Sequence, residues 1–256
     1  MMPGPQTIDV LGFATTTLSR TAILEQITSW IRERRDSHHV MALNPIKVCR
    51  AQKEKQLSEH IREADLVYPD AFGIAWAMRQ RSGRHHDPIP GCDLMLELIH
   101  TSAMEGYSIY LLGATDAVVQ QAQNEMLRLE PKLKIVGHHS GFFKNREDEE
   151  LTLKTIVSAG PDMVFVGMGA LIQENWIRRI QIACRTAGVV IPVLMGVGGS
   201  FDAITGTVRR PPRWMLNLHL EWFFRLLQQP LRAPRMLALP RFAFRVLKAR
   251  FFTFQH

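Results

Sequence analysis

The chain has 256 residues, 46% of them hydrophobic, enough to bury one large core or one core with a small appendage, which sets it apart from disordered chains. Three widely spaced cysteines, Cys49, Cys92 and Cys184, form no CxxC or Cys/His ligand set, which argues against a disulfide framework or a zinc site and fits a reducing cytoplasm. The net charge of +7 is lopsided: from Arg209 to His256 ten basic side chains face Glu221 alone, so this tail carries +9 and the part before it −2. Such a segment usually meets phosphate, in a nucleotide, a nucleic acid or a lipid head group.

The opening MMPGPQTIDVLG has no basic flank followed by an apolar run, and no stretch approaches the roughly 18 uninterrupted apolar residues of a spanning helix. The expectation is a chain neither secreted nor transmembrane. HHVMALN reads as a strand followed by a helix from Pro45. DLVYPD is the next strand, with a helix from about Phe72, and YSIYLLG precedes a helix after Thr115. LKIVG, an acidic helix, DMVFVGMG, a helix from about Ile172 and VVIPVLMGVGG complete the series. This rhythm predicts an α/β fold, a mostly parallel Rossmann-like sheet with helices on both faces, over residues 1–208. Residues 209–256 form a C-terminal helical basic appendage. Within it Trp214, Leu218, Trp222 and Leu226 recur at helical spacing and read as core, in a helix that Pro230 ends. Phe242, Phe244, Phe251, Phe252 and Phe254 lie among Arg241, Arg245, Lys248 and Arg250, the composition of a segment whose rings enter lipid while its cations meet anionic head groups.

In open α/β sheets ligands bind beyond the carboxyl ends of the strands. Asn44, Asp70, Gly113, Gly167 with Gly169, and Gly198 with Gly199 each stand where a strand hands over to a loop or helix, and five such edges can converge on one crevice. Asn44-Pro45 has a local explanation as a helix cap and first-turn proline. Asp70 in YPDAFG is either a helix cap or a carboxylate available for chemistry, and position alone does not choose. GMGALIQE lacks the third glycine of a dinucleotide fingerprint. His85-His86 with Asp87, and likewise His138-His139, read as solvated loops rather than metal clusters. No DxD pair occurs, so no metal site for a diphosphate is expected. In GVGGSFDAITGTVRRPP the glycines permit close approach to an anion, Asp202 offers an acceptor to a base or sugar, and Arg209 and Arg210 offer forked donors to phosphate.

The segment from Gly196 to Arg235 resembles the most characteristic stretch of the WecG/TagA/CpsF glycosyltransferases. LNP at Asn44, YPDAFG at Asp70, PGCDL at Asp93, YLLGAT at Gly113, SGFF at Phe142 and VGMGALIQENWI from Val166 occur in that family's order. The resemblance implies an inverting, membrane-associated, metal-independent enzyme that moves a sugar from a UDP-sugar to a polyprenyl-diphosphate-linked acceptor in bacterial surface polysaccharide synthesis. N-acetylmannosamine, its uronic acid, glucose, galactose and glucuronic acid are the donor sugars it admits, and no cofactor is implied. It assigns the catalytic base to Asp70. Ala42 stands where some members have threonine, GMGALIQE keeps Gly167, Gly169, Gln173 and Glu174 but loses Ser, Pro and Lys, and Ala71 replaces the usual glycine.

On that basis Gly198 and Gly199, with Arg210, Arg225 and Arg232, are expected to stabilise the departing diphosphate. Asp202 with Phe142 and Phe143 would hold uridine. Asn44, Asp93 and Gln173 would contact the sugar or orient Asp70, and Arg79, Arg81 and Arg84 are candidates for a uronic acid by location. The appendage would close the site at an anionic membrane surface, on the cytoplasmic side, and a chain cut after Pro240 would bind liposomes less while keeping turnover on a soluble acceptor. Nucleic acid is not an expected partner; a homo-oligomer is left open. Two rival readings are a basic-tailed nucleic-acid-binding protein, which leaves the near-neutral body unexplained, and a nucleotide-dependent oxidoreductase, whose glycine fingerprint is missing.

Overall fold

A computed structural model describes residues 7–207, 212, 215, 221–228 and 236–253. The chain opens with an antiparallel hairpin, β1 (Thr7–Asp9) and β2 (Ala14–Thr16), and a helix, α1 (Arg20–Glu33), capped by the Ser19 hydroxyl. Then follow β3 (His38–Leu43), α2 (Pro45–Ala51), α3 (Lys55–Glu63), β4 (Leu66–Pro69), α4 (Phe72–Ser82), α5 (Gly91–Glu105), β5 (Ser108–Gly113) and α6 (Asp116–Leu129). The second half holds β6 (Lys134–His139), α7 (Arg146–Ala159), β7 (Met163–Gly167), α8 (Ile172–Ala187), β8 (Val193–Gly196) and α9 (Ser200–Ile204). Two further helices, α10 (Glu221–Gln228) and α11 (Ala238–Thr253), lie in the basic tail.

The six strands expected from the apolar runs form one sheet in the order β4-β3-β8-β7-β5-β6, and every pairing is parallel. Alternation along each strand sends side chains to two cores. Val40, Tyr68, Leu111, Phe165 and Met195 face α1, α5, α6 and α9. On the opposite face Met41, Leu43 and Val67 meet α2, α3 and α4, while Leu112, Val166 and Leu194 meet α7 and α8. Leu111, Phe165 and Met195 are fully buried, each contributing about 1.5–3 kcal/mol relative to an exposed side chain. The close approach of β5 to β7 depends on Gly113: its φ is +134°, and a Cβ there would overlap the backbone carbonyl of Gly167.

Two expectations are corrected here. His138 and His139 are not in a loop but end the edge strand β6, where His139 stacks on Phe143. The rings after Arg241 are not all free for lipid: Phe242 is 2% exposed and, with Val246 four residues later, joins Val48, Ile74 and Met78 in the core beneath α2 and α4. An amphipathic helix packed by one stripe explains this, because Phe242 and Val246 share a face. Phe244, Leu247, Arg241, Arg245 and Lys248 are exposed. So α11 is packed onto the body, whereas the expected boundary at 208/209 lies outside the described residues, as do Trp214, Leu218 and Phe254. The side chains of Trp222, Phe251 and Phe252 are not described either.

Candidate active site

Five neighbouring strands, β4, β3, β8, β7 and β5, carry at their carboxyl ends Asp70, Asn44, the Gly196–Gly199 turn, the Gly167–Gly169 loop and Gly113. The strand ends thus line up along one sheet edge. With strands about 4.8 Å apart, Asp70 stands about 10 Å from the glycine turn, with Asn44 between them.

Asp70 extends the ladder, its N–H donating to the Leu43 carbonyl at 3.0 Å. Its side chain does not cap α4, whose N-cap is Ala71 with no side-chain hydrogen bond. Instead Asp70 Oδ1 accepts the N–H of Gly91, the first residue of α5, at 2.7 Å. The positive end of a 15-residue helix therefore faces this carboxylate. Ile89 donates to the Pro69 carbonyl at 2.7 Å, which returns the 83–90 loop to the strand end. A Cβ on Gly91 would lie 2.9 Å from Tyr68 Oη and 3.3 Å from Asp70 Oδ1. The Tyr68 hydroxyl is buried with no protein partner; burial pushes its phenol well above the usual tyrosine range, and the charges of Asp70 and Cys92 add to that. Asp93 lies in the same first turn of α5.

Asn44 caps α2, its Oδ1 accepting from Lys47 N–H at 2.9 Å. At the turn, Gly198 has φ +55° and donates its N–H to Gln173 Oε1 at 3.1 Å. Gly199 precedes α9, with Asp202 in that helix's first turn. Gly167 lacks a side chain where the Phe201 ring and the Gly198 carbonyl pass, at 2.7 Å and 3.0 Å from its would-be Cβ. Phe142 is 71% exposed, on a loop tied to the crevice by Gly141 N–H donating to Ala114 O at 2.8 Å.

The family model described as Glycosyl transferase WecG/TagA/CpsF family matches residues 8–256. The chain belongs to this family, and it is a glycosyltransferase. It is 34% identical over 209 residues to an N-acetylglucosaminyldiphosphoundecaprenol N-acetyl-beta-D-mannosaminyltransferase of Bacillus subtilis (strain 168), covering 82% of this chain and 78% of that one. Proteins of the same description from Staphylococcus aureus (strain MW2) and Bacillus spizizenii are 29% and 28% identical. The first match covers 95% of this chain and 93% of the relative, the second 89% and 86%.

Placed in this glycosyltransferase, several expected residues take different positions. Gln173 is 3% exposed, and its side chain is bound to Gly198 and Glu174, so it supports the glycine turn. Phe143 is stacked between His139 and Trp176, at ring separations of 5.3 and 4.6 Å, which leaves Phe142 as the ring presented outward. Arg79 and Arg81 lie in the last turn of α4, roughly 12–15 Å along the helix from the Asp70 end. Arg210 and Arg232 lie outside the described residues, and the Arg225 side chain, on α10, is not described. Among the described residues no group of three or more His, Cys, Asp or Glu is placed to hold a metal ion, and no helix is long and apolar enough to cross a membrane.

Sequence reasoning gave no role to Lys47, Glu174, Tyr68 or Gly91. Lys47 Nζ lies 2.9 Å from Glu174 Oε1, the two side chains 5% and 0% exposed. Burial works to raise the Glu174 carboxyl, but the charge and hydrogen bond of Lys47, with the Gln173 amide, outweigh it and hold the group below its usual range. One signal was present: a lysine in the first turn of a helix opposes the helix dipole and needs a compensating partner.

Proposed function

We propose that this chain transfers a sugar, with inversion, from a UDP-sugar to a polyprenyl-diphosphate-linked saccharide in bacterial surface polysaccharide synthesis. N-acetylmannosamine is the first donor sugar to test, since the relatives above are named for its transfer, with its uronic acid and hexose or hexuronic acid donors next. The observation that carries the reading is the Asp70 carboxylate, pinned by the Gly91 amide at the strand end two strands from the glycine turn. That separation leaves room for a sugar between a base and a leaving diphosphate.

In this scheme Asp70 takes the proton of the acceptor hydroxyl as its oxygen bonds to the anomeric carbon. The bond from that carbon to the β-phosphate oxygen breaks on the opposite face of the ring, and the electron pair leaves with UDP. The Gly198–Gly199 turn, Gly169 and the tail arginines Arg210, Arg225 and Arg232 stabilise the charge that develops there. Asp202 and Phe142 hold the uridine, and Asn44 and Asp93 flank Asp70 on the sugar side. Gly113 and Gly167 admit the close backbone packing that shapes the crevice floor. The reaction is metal-independent in this reading, because arginines and N–H groups carry the counter-charge. The outer face of α11, with Phe244 and Leu247 among Arg241, Arg245 and Lys248, supports peripheral attachment to an anionic membrane from the cytoplasmic side.

UDP release from a panel of UDP-sugars, with N-acetylglucosaminyl polyprenyl diphosphate as acceptor and EDTA present, tests the donor and the metal independence together. Asp70→Asn keeps size and hydrogen bonding but removes the base, so turnover should fall roughly 10²–10⁴-fold while the Kd for UDP stays nearly constant. Near-normal turnover of this variant refutes the assignment.

A further inference from the structure

The buried Lys47–Glu174 pair lies behind the glycine turn and takes no part in the chemistry proposed above. An ion pair this deep seldom adds net stability, because desolvating two charges offsets most of their attraction and apolar residues of similar volume often do as well. Its place in the fold supplies another reason for it. Lys47 is in the first turn of α2, directly after β3, and Glu174 is in the first turn of α8, after β7. Gln173, beside Glu174, reaches the turn after β8. Three adjacent strand ends therefore meet on one carboxylate.

The hydrogen bonds through it have a fixed direction. Glu174 Oε1 can only accept, and it takes both the Lys47 ammonium and the Gln173 Nε2–H, each at 2.9 Å. This orients the Gln173 amide so that its oxygen faces the turn and accepts Gly198 N–H. The other carboxylate oxygen accepts the N–H of Leu171, a non-glycine residue held at φ +74°. A Cβ on Gly196 would lie 2.6 Å from Gln173 Nε2, so the glutamine packs directly under the end of β8. One carboxylate thus ties down both glycine loops of the crevice.

We propose that Lys47 and Glu174 are positioning residues that hold the Gly196–Gly199 turn and the Gly167–Leu171 loop in the geometry that receives the diphosphate of UDP, acting through Gln173 and the backbone without touching substrate. The diphosphate half of this statement rests on the function proposed above; the ordering of the two loops does not. Loops fixed before the ligand arrives need no reorganisation when charge develops, which is where such preorganisation contributes.

The test is the double substitution Lys47→Met with Glu174→Leu, which replaces both charges by apolar side chains and leaves no ion unpaired. Hydrogen exchange of the unliganded protein reads the loops directly. Peptides covering Leu171 and Gly198 should exchange about tenfold faster or more than in the native chain, while those from the centres of β5 and β7 stay protected. Calorimetric titration with UDP should show a Kd weakened by about tenfold at a temperature where both proteins are folded. Glu174→Gln, assayed alongside, should weaken UDP binding in the same direction. Exchange at both loops and a UDP Kd all within twofold of native would overturn the proposal. If the double variant does not fold, Gln173→Leu, which removes the acceptor of Gly198 N–H together with the donor to Glu174 while leaving the Lys47–Glu174 pair in place, is used instead: faster exchange at Gly198 supports the relay and unchanged exchange overturns it. A native protein that binds no UDP refutes the donor reading instead, and the exchange comparison still decides the relay.

Discussion

Replacing Gly91 by alanine adds one methyl group at the point where Tyr68, Asp70 and Ala42 meet. The new Cβ would stand 2.9 Å from Tyr68 Oη, 3.3 Å from Asp70 Oδ1 and 3.8 Å from Ala42 Cβ. Ordinary contact is about 3.4–4 Å, so the phenol has to retreat by roughly half an ångström and the carboxylate by a few tenths. Asp70 cannot simply swing away, because it accepts the N–H of the same residue at 2.7 Å. A base displaced by about 1 Å can lose 10²-fold in rate, so a loss of roughly 10–100-fold in kcat is expected here. Stability should behave differently. Gly91 is not among the glycines with positive φ, and alanine in a helix gains roughly 0.5–1 kcal/mol over glycine, which offsets part of the crowding.

The assay is UDP release at saturating donor and acceptor, with a melting curve on the same sample. Activity should drop while Tm stays within a few degrees. Tyr68→Phe removes the nearer of the two polar contacts together with a buried hydroxyl that has no protein partner, so Gly91→Ala made in that background should lose at least threefold less activity than in the native one. Native-like kcat for Gly91→Ala would refute the placement of Asp70 as base; a fall in Tm of ten degrees or more in step with activity would show that the glycine serves folding instead.

Phe242→Ala should destabilise the protein by about 3–5 kcal/mol, and deletion after Pro240 should lower Tm and turnover together even on a soluble acceptor, because Phe242 and Val246 close the core under α2 and α4. Phe244→Ala, at a ring 68% exposed, should leave Tm within about a degree and weaken cosedimentation with anionic liposomes. His39 is 5% exposed, and burial is the main reason its imidazole is lowered from 6.5 to about 4, with the charges of Glu174 and Asp65 working against the shift and those of Lys47 and His60 for it. Its folded value lies below the unfolded one, so its contribution is whole above pH 6.5 and is lost as pH falls towards 4, about 3 kcal/mol in all. Denaturant titrations at pH 7.5 and pH 4.5 should show a smaller difference for His39→Gln than for the native protein; equal differences would show that His39 is not the group responsible.

Much of the fold, and of the strand ends that frame the candidate site, was legible because its signals are local. An apolar run ending in glycine, asparagine or aspartate marks a strand handing over to a loop, and all six runs are strands of the sheet. What failed to read from sequence is tertiary. Asp70 finds its partner at Gly91, 21 residues on, so its position before a helix suggested a cap that Ala71 occupies instead. Lys47 and Glu174 are 127 residues apart, and only the strand order brings β3 and β7 to either side of β8. Composition alone made the rings of the tail look uniformly interfacial. The helical spacing of Phe242 and Val246 was the clue that one stripe of α11 is core, and only the packing of α2 and α4 shows which stripe.

The order of the strands also decides from which side each substrate has to come, given the proposed chemistry. Inversion requires the base and the leaving diphosphate on opposite faces of the sugar. Asp70 is at the end of β4, the outermost strand, and the glycine turn is at the end of β8, with β7 and β5 beyond it. UDP must then lie towards β7 and β5, where Gly169 and the exposed Phe142 stand, and the acceptor hydroxyl must arrive from the β4 side. The helix α11 packs on α2 and α4, and those helices start at the ends of β3 and β4. Its basic and aromatic outer face is therefore carried by the same part of the body as the base. A lipid-linked acceptor held at a membrane by that face would meet Asp70 first, while the nucleotide, which is soluble, enters from the far side. Under the proposed function donor and acceptor would then not compete for one entrance, and the tail would serve the reaction by fixing which edge of the sheet is turned towards the lipid.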